Sequence, residues 1–194
     1  MHIVLMAACF VAGTAAWLRR VCPNDFIWRL CLGTLLFSNG MTVIGMMEKT
    51  MPLLSCIFAL ILINLLCVLS YSDIQSHSVE TIYLYILLAG GALYTILSEP
   101  SVWLSRLIWF VLLFLILSLV AKKEKSGIGS ADVKVIAGLS LYLDFSRLFS
   151  VLFFSFGAGL VYGIILIMLK KATSKTALPF IPFLLIGTLA GFLF

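Results

Sequence analysis

An all-α, polytopic membrane helix bundle is the fold class this sequence predicts, and three observations lead there. The chain of 194 residues is 63% hydrophobic and only 11% charged, with a mean hydropathy of +1.20, whereas soluble domains are about half apolar. Its apolar runs recur along the whole length, separated by short clusters of charge and turn residues. The longest polar stretches, around Tyr71 to Glu80, Lys122 to Asp132 and Lys170 to Ala177, are too short to fold alone. The expectation is therefore a single membrane domain over 1–194, with a core at 51–194 and two N-terminal helices within 1–50. No N-terminal run carries a small-residue cleavage site, so the first apolar segment is read as a retained helix.

Eight segments follow, because a helix needs about 20 residues to cross the hydrocarbon, and six to eight of them are expected to span. Ile3 to Leu18 ends at Arg19 and Arg20, and Phe26 to Met47 opens after Pro23-Asn24-Asp25. Met51 to Tyr71 is followed by Val79 to Leu97, which stops at Ser98-Glu99-Pro100. Val102 to Ala121 ends at Lys122 and Lys123, and Val133 to Leu143 is the shortest. Leu148 to Leu169 ends at Lys170 and Lys171, and Leu178 to Phe194 closes the chain. The sixth segment is too short to cross and is expected to be a half-span or a helix packed inside the bundle, where lipid does not reach it.

The distribution of Lys and Arg orients the bundle. Arg19 and Arg20, then Lys122, Lys123 and Lys125, then Lys170, Lys171 and Lys175 fall on alternate connections, and basic residues mark the cytoplasmic side. The connections around Glu48-Lys49, Ser98-Pro100 and Asp144-Arg147 show no basic excess. Both chain ends then lie outside, while the stretches around Asp73 and Asp132 share the cytoplasmic face. The net charge of +5 belongs to this topology and not to nucleic acid. The five cysteines form no C-x-x-C pair and sit mostly in apolar runs, so neither zinc nor a disulfide is expected.

Asp73 and Asp132 are the candidate chemical groups. A charge at hydrocarbon depth is costly, and intramembrane acids are kept for function. Asp132 sits in Gly127-Ile128-Gly129-Ser130-Ala131-Asp132-Val133-Lys134, where small residues allow a tight bend and a close approach. Two neighbouring carboxylates in a low dielectric share one proton. The charged member can then activate a water against a peptide carbonyl while the neutral member donates to the developing oxyanion. No metal or covalent intermediate is required, and the rest of the chain supports this by elimination, since only His2 and His77 are histidines and no G-x-S-x-G stretch or metal-ligand cluster is present.

Other polar residues have plainer readings. Asp25 is expected to open the second helix and Asp144 to cap or end a helix on the outer side. His77 is either a solvated loop residue or, at i+4 from Asp73, its partner on a helix. Glu80 suits the first turn of the next helix. Lys134 either holds a carboxylate by its charge or anchors its helix at the interface.

Three patches together resemble the type IV prepilin leader peptidases, membrane aspartic proteases with a G-x-G-D type signature. The first is Tyr71-Ser72-Asp73-Ile74-Gln75-Ser76-His77-Ser78-Val79-Glu80, which keeps the family's aspartate but lacks its proline. The second fits at Gly127, Gly129, Asp132, Val133 and Lys134, with Ala131 in place of the glycine before the aspartate. The third is Pro179-Phe180-Ile181-Pro182-Phe183, with Ile181 where the family has glycine. The similarity runs from about Met51 to the C-terminus, in the family's order.

The resemblance implies an aspartic endopeptidase of the bacterial inner membrane, with Asp73 and Asp132 catalytic and Gly127, Gly129, Lys134, Pro179 and Pro182 supporting the substrate and its loop. Its partners would be prepilin or pseudopilin substrates, cut after a glycine between a short basic leader and an apolar helix. Larger relatives carry a cytoplasmic loop with paired Cys-x-x-Cys motifs and methylate the new N-terminus; without that loop, no methyltransferase and no S-adenosylmethionine are implied here. A proton-coupled transporter would use the same acids, but they lie at segment ends and no inverted repeat is visible. An inactive homologue acting in pilus or secretion assembly is the other alternative. The Tyr-Asp and Pro-Ala-Leu patches of presenilin-like proteases are absent.

Overall fold

The computed structural model describes residues 52–76, 79–98, 100–122, 129–170 and 178–193, together with scattered helical positions between 8 and 43. Six helices have defined bounds: α1 Leu53–Ser76, α2 Thr81–Ser98, α3 Trp103–Ala121, α4 Ser130–Tyr142, α5 Phe145–Met168 and α6 Ile181–Leu193. Among the described residues there is no strand. The protein is a helical membrane bundle, and four of these helices, α1, α2, α3 and α5, are long and apolar enough to cross a bilayer.

Their burial sorts them into layers. α1 is the central helix, two-thirds buried, with Leu62, Ile63, Leu66 and Leu69 fully covered. α3 and α5 lie outside it and expose Leu104, Ile108, Phe149, Phe153 and Leu160, the surface expected of helices whose solvent is hydrocarbon. α6 packs against α1 and α5, and α4 against α2 and α3.

α4 has 13 residues, a length of about 20 Å against a hydrocarbon core of about 30 Å. It does not cross alone. Instead it is enclosed: Val133 and every residue from Val135 to Tyr142 are buried. A helix ending inside apolar surroundings leaves carbonyls without partners, and these must be satisfied locally. Thr95 on α2 donates to the Leu141 carbonyl at 2.8 Å, and the buried Arg106 guanidinium on α3 donates to the Leu141 and Tyr142 carbonyls at 3.1 and 3.4 Å. A cation at a helix C-terminus also matches the negative end of its dipole. Tyr142 in turn donates to the Leu87 carbonyl at 3.0 Å.

Two differences from the sequence expectations move the acids. α1 continues five residues past Tyr71, so Asp73 lies in its last turns and not in a loop; nothing between Ser72 and Ser76 breaks a helix. α4 begins at Ser130, three residues early, which puts Asp132 in its first turn. Asp144 is the N-cap residue of α5 without a side-chain cap bond, paired instead with Arg147 at 3.5 Å. Glu80 lies just before α2, its carbonyl accepting from the Tyr83 amide at 3.2 Å. His77 and Asp25 lie outside the described residues.

Glycine provides the close approach of α2 to α4. A Cβ at Gly91 would stand 2.7 Å from Leu141 Cβ and 2.9 Å from Tyr142 Cε2, whereas one at Gly157 meets nothing within 4 Å. Gly91→Ala is therefore expected to destabilise the full chain by about 1–3 kcal/mol through overpacking, and Gly157→Ala to leave it unchanged, as read from thermal unfolding in detergent.

Candidate active site

The end of α1 meets the start of α6 at one end of the bundle, and the start of α4 lies near enough for the charge of Asp73 to act on Asp132. Asp73, on α1, is 8% exposed, and its Oδ2 accepts a hydrogen bond from the Ile181 backbone N–H at 3.1 Å. Ile181 is the first residue of α6. An N–H in the first turn of a helix has no intrahelical acceptor, and the positive end of the helix dipole lies there, so it is a donor suited to an anion. Pro182 follows it in the first turn, where the missing N–H costs nothing. Pro179 precedes the helix, and both prolines are half-buried.

Asp132 is the third residue of α4, and its Oδ2 accepts from the Gly129 amide at 3.2 Å. It lies outside the four long spans. Burial, and then the charge of Asp73, push its carboxyl up from 3.8 to about 6, with the Gly129 N–H pulling the other way. The second cause places the two carboxylates within electrostatic reach of each other. Gly129 has φ of −70°, so it is not there for a left-handed backbone. It is there for space: a Cβ would stand 3.1 Å from Asp132 Oδ2. Lys134 is half-buried in the next turn of α4. Gly127 lies outside the described residues. Among the described residues no group of three His, Cys, Asp or Glu side chains could hold a metal.

A profile described as the type IV leader peptidase family matches residues 60–164, more than half of the chain, and this stretch contains both aspartates. The chain belongs to the type IV leader peptidase family. It is also 26% identical over 136 residues to a prepilin leader peptidase/N-methyltransferase of Bacillus subtilis (strain 168), an alignment covering 70% of this chain and 55% of that relative. The chain thus spans about half the length of the curated relative it matches. No solved structure matches.

Within this leader peptidase family member, the site residues named from sequence divide into two sets. One gathers at the helix ends, with the Gly129 amide bonded to Asp132, Pro179 and Pro182 flanking the α6 start that reaches Asp73, and the charge of Asp73 acting on Asp132. The other is Lys134, a turn further along α4, and Gly127, outside the described residues. Sequence reasoning missed the Ile181 amide, because a backbone donor leaves no mark in residue type. The available signal was that a Pro-x-x-Pro stretch starting a helix has few N–H groups, and Ile181 carries one of them.

The Asp132 shift sets a pH dependence of stability. A carboxyl whose folded pKa is raised contributes stability that is fully present below its ordinary value of 3.8 and is lost as pH rises through about 6. The wild type is expected to melt at lower temperature at pH 7 than at pH 5, and Asp132→Asn to flatten that difference, as read from thermal melts across this range.

Proposed function

We propose that this protein is a membrane aspartic endopeptidase that removes the short basic leader of type IV prepilin or pseudopilin-like proteins. The observation that supports the proposal is that Asp73, bonded to the first amide of α6, and Asp132, in the first turn of α4, lie close enough for the charge of Asp73 to act on the Asp132 carboxyl. Asp73, facing a backbone N–H, takes the role of the charged base that activates water. Asp132, whose carboxyl holds its proton up to about pH 6, takes the role of the acid that donates to the oxygen of the tetrahedral intermediate. Neither step calls for a metal. Family membership and the name of the Bacillus subtilis relative support the substrate class.

The active site faces the cytoplasm in this proposal, in a bacterial inner membrane, because Lys122 to Lys125 and Lys170 to Lys175 mark that side. A substrate with a basic leader and an apolar helix is held in the same orientation, which delivers its scissile bond to the carboxylates. The proposal includes peptidase activity without N-methylation, in keeping with a sequence in which no C-x-x-C pair occurs.

Co-expression with a prepilin-type substrate tests this, by the mobility shift of the trimmed product. The wild type is expected to trim, and Asp73→Asn and Asp132→Asn each to lower the rate by about 10²–10⁴-fold, the range set by loss of a general acid or base. Unchanged trimming in either variant would refute the paired mechanism. Gly129→Ala is expected to lower trimming by about tenfold, since a carboxylate displaced by a fraction of an ångström loses part of the alignment that makes a 1 Å error cost 10²-fold.

A further inference from the structure

Buried hydroxyls in these helices follow one pattern, and Ser70 breaks it. Ser155 donates to the Val151 carbonyl at 2.6 Å, Thr188 to Leu184 at 2.7 Å and Ser140 to Ala137 at 2.6 Å, while Thr95 shares its one proton between the Gly91 and Leu141 carbonyls at 2.9 and 2.8 Å. This back-bonding is how a helix in apolar surroundings satisfies an alcohol. Ser70 is 6% exposed, and its Oγ has no hydrogen-bond partner among the described residues. The other such hydroxyl, Ser98, ends α2 on the side opposite the acids. A buried hydroxyl left unpaired is costly, because it has given up its bonds to water for nothing in return.

Its position is specific. Residues three apart on a helix share a face, so Ser70 lies below Asp73, about 4.5 Å deeper along α1 at 1.5 Å per residue. Leu66 and Leu69 on the same side are fully buried. Resting on the peptidase reading, we propose that Ser70 Oγ accepts a hydrogen bond from the backbone N–H of the second residue after the cut in the substrate. A substrate whose apolar helix continues into the membrane runs its product side toward Ser70. An extended chain advances about 3.3–3.6 Å per residue, which brings that N–H to within about 1 Å of the depth of Ser70 when the scissile amide is level with Asp73. The first N–H groups of the substrate helix have no acceptor of their own, and at this depth water does not supply one. Ser70 is a positioning residue in this scheme.

The test uses the full chain in detergent with a synthetic substrate of basic leader, glycine and apolar helix, and a second in which the amide of that second residue is replaced by an ester. Ser70→Ala is expected to raise KM about fivefold with kcat unchanged, the effect of one net hydrogen bond near 1 kcal/mol at tenfold per 1.4 kcal/mol. Ser70→Thr, which keeps the hydroxyl, restores it. The ester lowers wild-type efficiency by a similar factor and Ser70→Ala no further. Equal cleavage of amide and ester by the wild type overturns the proposal without any variant, as do additive losses in Ser70→Ala. If the wild type cuts neither substrate, the peptidase reading falls and this one with it.

Discussion

Hydrocarbon offers no hydrogen bonds, and that constraint organises this bundle. Each polar group carried inside must meet another, and the meetings join segments distant in sequence. The Asp73 carboxylate reaches the amide of Ile181, 108 residues away. Arg106 and Thr95 take the carbonyls at the end of α4. On α1, Asn64 donates to Asn39 at 2.9 Å and accepts from Thr14 at 3.1 Å, which ties the N-terminal helical residues to the central helix. Leucines fill the space between these contacts, but lipid is as apolar as leucine and gives little preference for one helix neighbour over another. The polar pairs and the glycine contacts supply that preference.

The same constraint explains why α4 is short and enclosed. A helix starting in the plane of the acids and stopping inside the bundle has orphan groups at both ends. Its first turn gives the Gly129 amide to Asp132, and its last turn is met by an arginine and a threonine from two neighbours. Arg106 also lies 5.3 Å from the centroid of the Tyr94 ring, a contact worth more where water is excluded. A buried cation more than two turns along α4 from the carboxylates thus holds the far end of the helix that carries one of them.

Much of this was legible in the sequence. Hydropathy and charge clusters located the helices, and the short sixth segment was readable as a helix inside the bundle. Asp73 and Asp132 are expected as a pair because basic residues put both on one face, and in the structure the charge of Asp73 acts on the Asp132 carboxyl. Helix ends were misplaced where polar residues without breaking tendency continued a helix, as from Ser72 to Ser76. Backbone chemistry was not legible at all. The Ile181 amide has no side-chain signature, and the unpaired state of Ser70 depends on what neighbouring helices fail to offer it.

The departures from the family's motifs can now be weighed by geometry. Ala131 stands where the family has glycine, which matters only if the backbone there is left-handed or crowded. It lies inside α4, and among the described residues the single non-glycine with positive φ is Lys170, at 56°. The methyl of alanine therefore meets no conformational penalty. Ile181 also replaces a glycine, yet the group that reaches Asp73 is its amide, which every residue but proline has, while its side chain is fully buried and adds apolar contact to the core. Gly129 is the one position of the three where space is short, since a Cβ there would press on the Asp132 carboxylate. At that position the chain retains glycine.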